Sequence, residues 1–170
     1  AFIVPTLAAK VGKKELSAFG GILGAVVFFI AFVLHTDNLY LFIALYTIGY
    51  LGIGFFNVNC WAMITDVIDD AEVREGERSD GTFYSVYSFA RKMGQAASSG
   101  LSGALLGIVG YTDATAFDPD VLNGIYDISC LVPAAGFLLM ALALIFVYPL
   151  GKKKVDQNIA TLKARREGKK

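Results

Sequence analysis

The segment from Tyr84 to Gly100 reads YSVYSFARKMGQAASSG, and Arg91 and Lys92 stand side by side near its centre. On a helix turning about 100° per residue, Ser88, Arg91, Gln95, Ser98, Ser99 and Ser102 fall within about 60° of Tyr84. Lys92 and Ser85 flank that sector, and Phe83, Val86, Ala90, Met93, Leu101 and Ile108 occupy the far side. One face therefore carries hydroxyls, a carboxamide and two cations, while the other is apolar. The polar face suits a water-filled cavity or polar protein. Its cations need counter-charges, which must come from a ligand or from another part of the protein.

Other chemistry is poorly supplied. Cys60 and Cys130 lie singly in apolar stretches, and His35 is the single histidine. No spacing among them suits a metal ion, so no metal site is expected. No nucleophile–base pair or phosphate-binding loop is present, which argues against an enzyme, and no cofactor is expected. Lys+Arg and Asp+Glu balance at 15 each, so no overall basic bias points to nucleic acid.

The composition indicates what positions the polar face. Of the 170 residues, 55% are apolar and 18% charged, fewer charges than the usual quarter for soluble domains. Four long apolar runs stand out. Leu16–Leu34 and Leu39–Thr65 carry no charge, Thr82–Tyr111 carries Arg91 and Lys92, and Asn123–Pro149 carries Asp127. Each reaches the roughly 20 helical residues that cross a bilayer. The expected fold class is all-α: a polytopic membrane bundle with four transmembrane helices at about 16–34, 39–65, 82–111 and 123–149. A charged loop at 66–81 and a polar tail at 150–170 complete the plan. Residues 1–15 read as the end of a preceding helix and a link. The chain opens AFIV with no Met or basic leader, so it is expected to be a piece of a longer protein.

Lysine and arginine set the orientation. Lys10, Lys13 and Lys14 precede the first span, Arg74 and Arg78 lie in the 66–81 link, and eight Lys or Arg follow Gly151. The links at 35–38 and 112–122 have none. The basic segments, including the C-terminus, are therefore expected in the cytoplasm, with the protein in the plasma (cell inner) membrane. Tyr40, Tyr111 and Tyr126 then fall at the outer interface and Trp61, Tyr84 and Tyr148 near the inner one. Small residues four apart, Gly20 with Gly24 and Gly103 with Gly107, predict close helix packing. Glycines 49, 52 and 54 could soften the second span, and Pro133 is expected to kink the fourth. The tail suits an anionic lipid surface or disorder equally.

Depth sharpens the question of the cations. Lys92 lies ten residues past Thr82, roughly 15 Å along a helix and about half the hydrocarbon thickness. A cation there costs about 2.5–3.5 kcal/mol on insertion scales. Asp127, Asp66 and Asp69 lie near span ends, so the counter-charge is expected outside this chain or on a ligand. Asn57 and Asn59 enter at similar depth but point in different directions, so at most one lines the same cavity. At the inner end, Asp66, Asp69 and Asp70 close a helix C-terminus, where negative charge is unfavourable. Fixed partners are expected among Lys13, Lys14, Arg74 and Arg78. With Glu72 and Asp80 they compose a network that acts as a cytoplasmic gate if it forms in one conformation and breaks in another.

The stretch MITDVIDDAEVREGERSDGTFYSVYSFARKMGQAASSGLSGALLGIVGY resembles the glycoside–pentoside–hexuronide:cation symporters, the melibiose-permease group of the major facilitator superfamily. The family pattern falls on Asp66, Asp69, Glu72, Arg74, Gly76, Arg78, Asp80 and Gly81. It continues through Tyr84-Ser85-Val86, Phe89, Arg91-Lys92 and Gly94-Gln95. PTLAAKVGKKEL is similar to the family's short link before its ninth helix. Asp70 and Val73 depart from it, where an aromatic and Trp are frequent.

The resemblance implies the last four of twelve helices in a transporter that moves a sugar or glycoside with a cation, Na⁺ or H⁺, by alternating access. Its partners are then the lipid bilayer, the N-terminal helices of the same protein and the sugar. Lys92 matches the family's lysine near the sugar and cation sites, with Tyr87 and Ser88 on the cavity side, and Ser88 and Gln95 could hydrogen-bond a sugar. The acids that bind the cation belong to the N-terminal half. Two rival readings are a lysolipid transporter of the same superfamily and a non-transporting membrane scaffold or sensor.

Overall fold

A computed structural model describes residues 3–168. It consists of α1 (Ile3–Val11), α2 (Lys13–Leu34), α3 (Leu39–Glu75), α4 (Asp80–Ile108), α5 (Pro119–Leu142), a π-helical segment (Ala143–Val147) and α6 (Lys152–Glu167). The all-α expectation holds, with no strand among the described residues.

Helix α2 is the central post, packed along α3 on one side and α5 on the other. The α2–α3 contact depends on glycine. A Cβ on Gly20 would collide with the carbonyl oxygen of Gly52, and a Cβ on Gly52 with that of Gly20. The backbones touch there, as small-residue spacing permits. Gly49 is filled by the Phe28 ring and Gly24 by Phe137. Glycines 49 and 52 therefore serve close packing, and α3 runs through them as one helix. Phe28 is fully buried, edge-on to Tyr46 (5.0 Å) and Tyr50 (5.4 Å) and 5.6 Å from Phe137. Offset and edge-on rings of this kind add to the area they bury.

By length and composition, α2, α3 and Pro119–Val147 can each cross a membrane. The expectation of four such spans is met by three. Helix α4 is long enough at 29 residues, but its serines, Gln95, Arg91 and Lys92 dilute its apolar face. It also stands apart. None of its residues is buried, its main contact with the bundle is a short stretch of α3, and just past its end Val109 fills the space beside Gly124.

The expected loop 66–81 is mostly helix. Hydropathy ends at Thr65, but α3 continues ten residues to Glu75. Asp, Glu, Ala and Arg hold a helix well enough, and Arg74 Nε lies 3.1 Å from Asp70 Oδ2, one turn earlier. Gly76, at φ 84°, ends it in the left-handed conformation that glycine adopts without strain. The link shrinks to residues 76–79. The tail is likewise helical and docks on the charged end of α3, with Asn158 and Leu162 buried. Helix α5 continues past Pro133, and the backbone passes into π-helical geometry at Ala143–Val147.

The two ends of the bundle separate by charge as the sequence suggested. Lys13, the end of α3 and the start of α6 gather at one end. At the other, Tyr126 Oη donates to Ala31 O (2.8 Å), and His35 lies 3.5 Å from Asp127.

Candidate functional site: a cleft between α3 and α4 and a charged end

Among the described residues, α3 and α4 meet through aromatic rings. Trp61 projects from α3 against Tyr87 (ring centroids 5.2 Å, edge-on) and Tyr84 (6.1 Å) of α4. Cys60 Sγ lies 3.3 Å from Tyr87 Oη. Above these contacts opens a cleft of 460 Å³ whose lining includes Asn57, Cys60 and Trp61 from α3 and Tyr87 and Arg91 from α4. Residues 57 and 61, and 87 and 91, are each four apart, so each pair shares one face of its helix. The cleft thus joins an amide, a phenol, an indole and a guanidinium, a mixture able to hold a polar ligand against an aromatic wall.

The residues expected to line one cavity divide. Asn57, Tyr87 and Arg91 come together in the cleft. Asn59, two residues on, faces the other way: it is 3% exposed and its Nδ2 donates to Ser17 Oγ at 3.3 Å in the α2–α3 interface. The side chains of Ser88, Lys92 and Gln95 lie on the exposed surface of α4 and outside the cleft. Among the described residues, no carboxylate pairs with Arg91 or Lys92.

The charged end is better connected. Lys13 Nζ pairs with Asp66 at 2.6 Å. Arg78 bonds three carboxylates at once: Nη1 reaches Asp69 (2.7 Å) and Glu72 (2.9 Å), and Nε reaches Asp80 (2.9 Å). These bonds, Asp69 foremost, hold the guanidinium protonated well above its usual range. Arg74 pairs with Asp70. Lys14 is the exception among the expected partners. Its ammonium donates to the carbonyls of Tyr148 (2.7 Å) and Ile145 (3.2 Å), at the end of the π-helical segment, where a cation is favoured.

Several contributors escaped the sequence reading. Asn158 of α6 donates to Asp70 at 2.8 Å, and Lys154 lies 3.8 Å from the same carboxylate. Arg165 donates to the carbonyls of Glu72 (3.3 Å) and Val73 (3.0 Å), capping α3, while Arg166 shares Glu72 with Arg78. Trp61, read as an interfacial anchor, is a wall of the cleft. Its spacing from Asn57 was the available signal.

A bundle of long apolar helices with a polar cleft on one flank and an ion-paired end defines a membrane-embedded helical protein. More specifically, the chain belongs to the MFS/sugar transport protein family, whose model matches residues 1–152. It is 32% identical over 165 residues to the glucuronide carrier protein homolog of Escherichia coli (strain K12). It is 34% identical over 159 residues to the uncharacterized symporter YjmB of Bacillus subtilis (strain 168) and 31% over 148 to the isoprimeverose transporter of Lactiplantibacillus pentosus. These alignments cover 97%, 94% and 85% of this chain but 36%, 34% and 30% of the relatives. The chain thus spans about a third of the length of the curated relatives it matches. No solved structure gives a significant match. The family is one of transporters and not of enzymes.

Proposed function

We propose that this chain is the C-terminal part of a secondary active transporter, equivalent to the last four of twelve helices, that carries a sugar or glycoside in symport with Na⁺ or H⁺. The observation that carries this reading is that, among the described residues, neither Arg91 nor Lys92 has a carboxylate partner, on a helix too polar to face lipid all round. The other helices of the same protein would cover α4, with the basic end of the bundle in the cytoplasm of the plasma (inner) membrane. Relatives named as a carrier, a symporter and a transporter of a sugar support it.

In this account Lys92 faces acids from the N-terminal helices. A cation bound to those acids competes with Lys92 for their charge, so cation occupancy and substrate binding are linked through one site. Ser88 and Gln95 hydrogen-bond the sugar on the same face. The network of Lys13, Asp66, Asp69, Glu72, Arg74, Arg78 and Asp80 closes the cytoplasmic side, and Lys14 braces it from the neighbouring carbonyls. Alternating access requires that these pairs form in one state and part in the other.

The test is flux in vesicles that contain the full-length transporter. An imposed inward Na⁺ or H⁺ gradient should drive the sugar above its external concentration. Accumulation indifferent to every cation gradient would exclude symport.

A further inference from the structure

We propose that Tyr87 is a positioning residue. Its hydroxyl, anchored by Cys60 of α3, holds the Arg91 guanidinium against α3 and leaves Lys92 as the cation of α4 that meets counter-charges elsewhere in the protein. The inference rests on the transport reading above, in which Lys92 faces those acids, and it accounts for two adjacent cations beside one coupling site.

The two cations do not share surroundings. Consecutive helical positions differ by about 100°, and that turn sends Arg91 into the cleft while Lys92 stays outside it. Direction alone does not fix a side chain as long as arginine. Tyr87 supplies the rest. It lies one turn before Arg91 on the same face of α4, and its hydroxyl hydrogen-bonds the Arg91 guanidinium. Arginine has donors and no acceptor, so the tyrosine oxygen accepts from it. The same oxygen lies 3.3 Å from Cys60 Sγ, on α3. The Tyr87 ring is held as well, edge-on to Trp61 at 5.2 Å. Helix α3 thus grips Tyr87 at ring and hydroxyl, and grips Arg91 through it. Lys92 lacks such a contact with α3: it is exposed and lies outside the cleft.

The division has an electrostatic consequence. Arginine keeps its charge at every physiological pH. A loose guanidinium beside Lys92 would compete with it, and with the coupling cation, for the same acids. The anchor is itself uncharged, because no carboxylate lines the cleft among the described residues. Phenol and thiol therefore set the charge of Arg91 aside without neutralising it.

The test measures sugar binding to the full-length protein while Na⁺ or H⁺ is varied. Tyr87→Phe keeps the ring against Trp61 and removes the hydroxyl. It should raise the cation concentration for half-maximal stimulation roughly 3- to 10-fold, as loss of one hydrogen bond implies. Cys60→Ala should shift that concentration in the same direction. In an Arg91→Gln background, Tyr87→Phe should have no further effect, because the charge it would release is gone. Unchanged cation dependence in either single variant overturns the inference. So does a Tyr87→Phe shift that persists at full size with Arg91→Gln, which would make Tyr87 a structural support or a direct contact of the sugar. Wild-type binding that responds to neither cation defeats the symport reading and this inference together. A wild-type response that Tyr87→Phe leaves unmoved defeats this inference alone.

Discussion

Lys13 Nζ lies 2.6 Å from Asp66 Oδ1, joining the start of α2 to α3 across 53 residues of sequence. The pair is asymmetric. The lysine side chain is 31% exposed and the aspartate 6%. Removing one partner therefore differs from removing the other, because only one of the remaining charges can reach water.

Lys13→Met should lower the melting temperature of the purified protein more than Asp66→Asn does. The first leaves a buried carboxylate unpaired, at a cost of about 1–3 kcal/mol. The second leaves a lysine that hydrates. The double variant should melt above Lys13→Met alone. Equal effects of the two single changes would show that Asp66 is not the buried partner.

Arg78→Gln removes the hub of three carboxylates, and it should loosen the link at residues 76–79. Each exposed pair is individually weak and screened by salt, so the effect depends on the three acting together. A cysteine placed at Thr65, beside Arg78 on the same surface, should react with a water-soluble maleimide several-fold faster in the variant. Unchanged labelling would argue against these residues as a gate.

Gly52→Val should be severely destabilising, since the added atoms meet the Gly20 carbonyl. Overpacking of this kind costs about 1–3 kcal/mol and often more where backbone is the obstacle. The measurement is the yield and melting temperature of folded protein, with Gly54→Val as the comparison, because Gly54 has open space around its Cβ position.

The two asparagines separate stability from binding. Asn59→Leu should lower the melting temperature by disturbing Ser17 and leave the apparent KM for the sugar unchanged. Asn57→Ala should do the reverse. A shared phenotype would mean that the cleft and the α2–α3 interface are one unit.

Much of this arrangement was legible in the sequence, and the limits were physical. The apolar runs located the long helices, because burial in lipid demands length and composition together. Hydropathy marks where a bilayer ends, however, and not where a helix ends. It stopped at Thr65, while Asp70–Arg74 pairing and good helix formers carried α3 to Glu75. Glycines 49 and 52 allow both bending and close approach, and only the positions of Phe28 and Gly20 decide between them. The tail looked like a basic surface segment, because nothing local reveals that Asn158 and Arg165 have partners some 90 residues earlier: 88 for Asn158 and Asp70, and 92 for Arg165 and Val73. Arg91 and Lys92 were found by type and depth, but their different surroundings required the position of α3.

The central claim is that Lys92 links cation occupancy to sugar binding. The most direct measurement is sugar accumulation against its gradient by the full-length protein with Lys92→Ala, beside equilibrium exchange of the same sugar. The account predicts that uphill accumulation is abolished whatever cation gradient is imposed. Uphill accumulation at the wild-type level in that variant would contradict it.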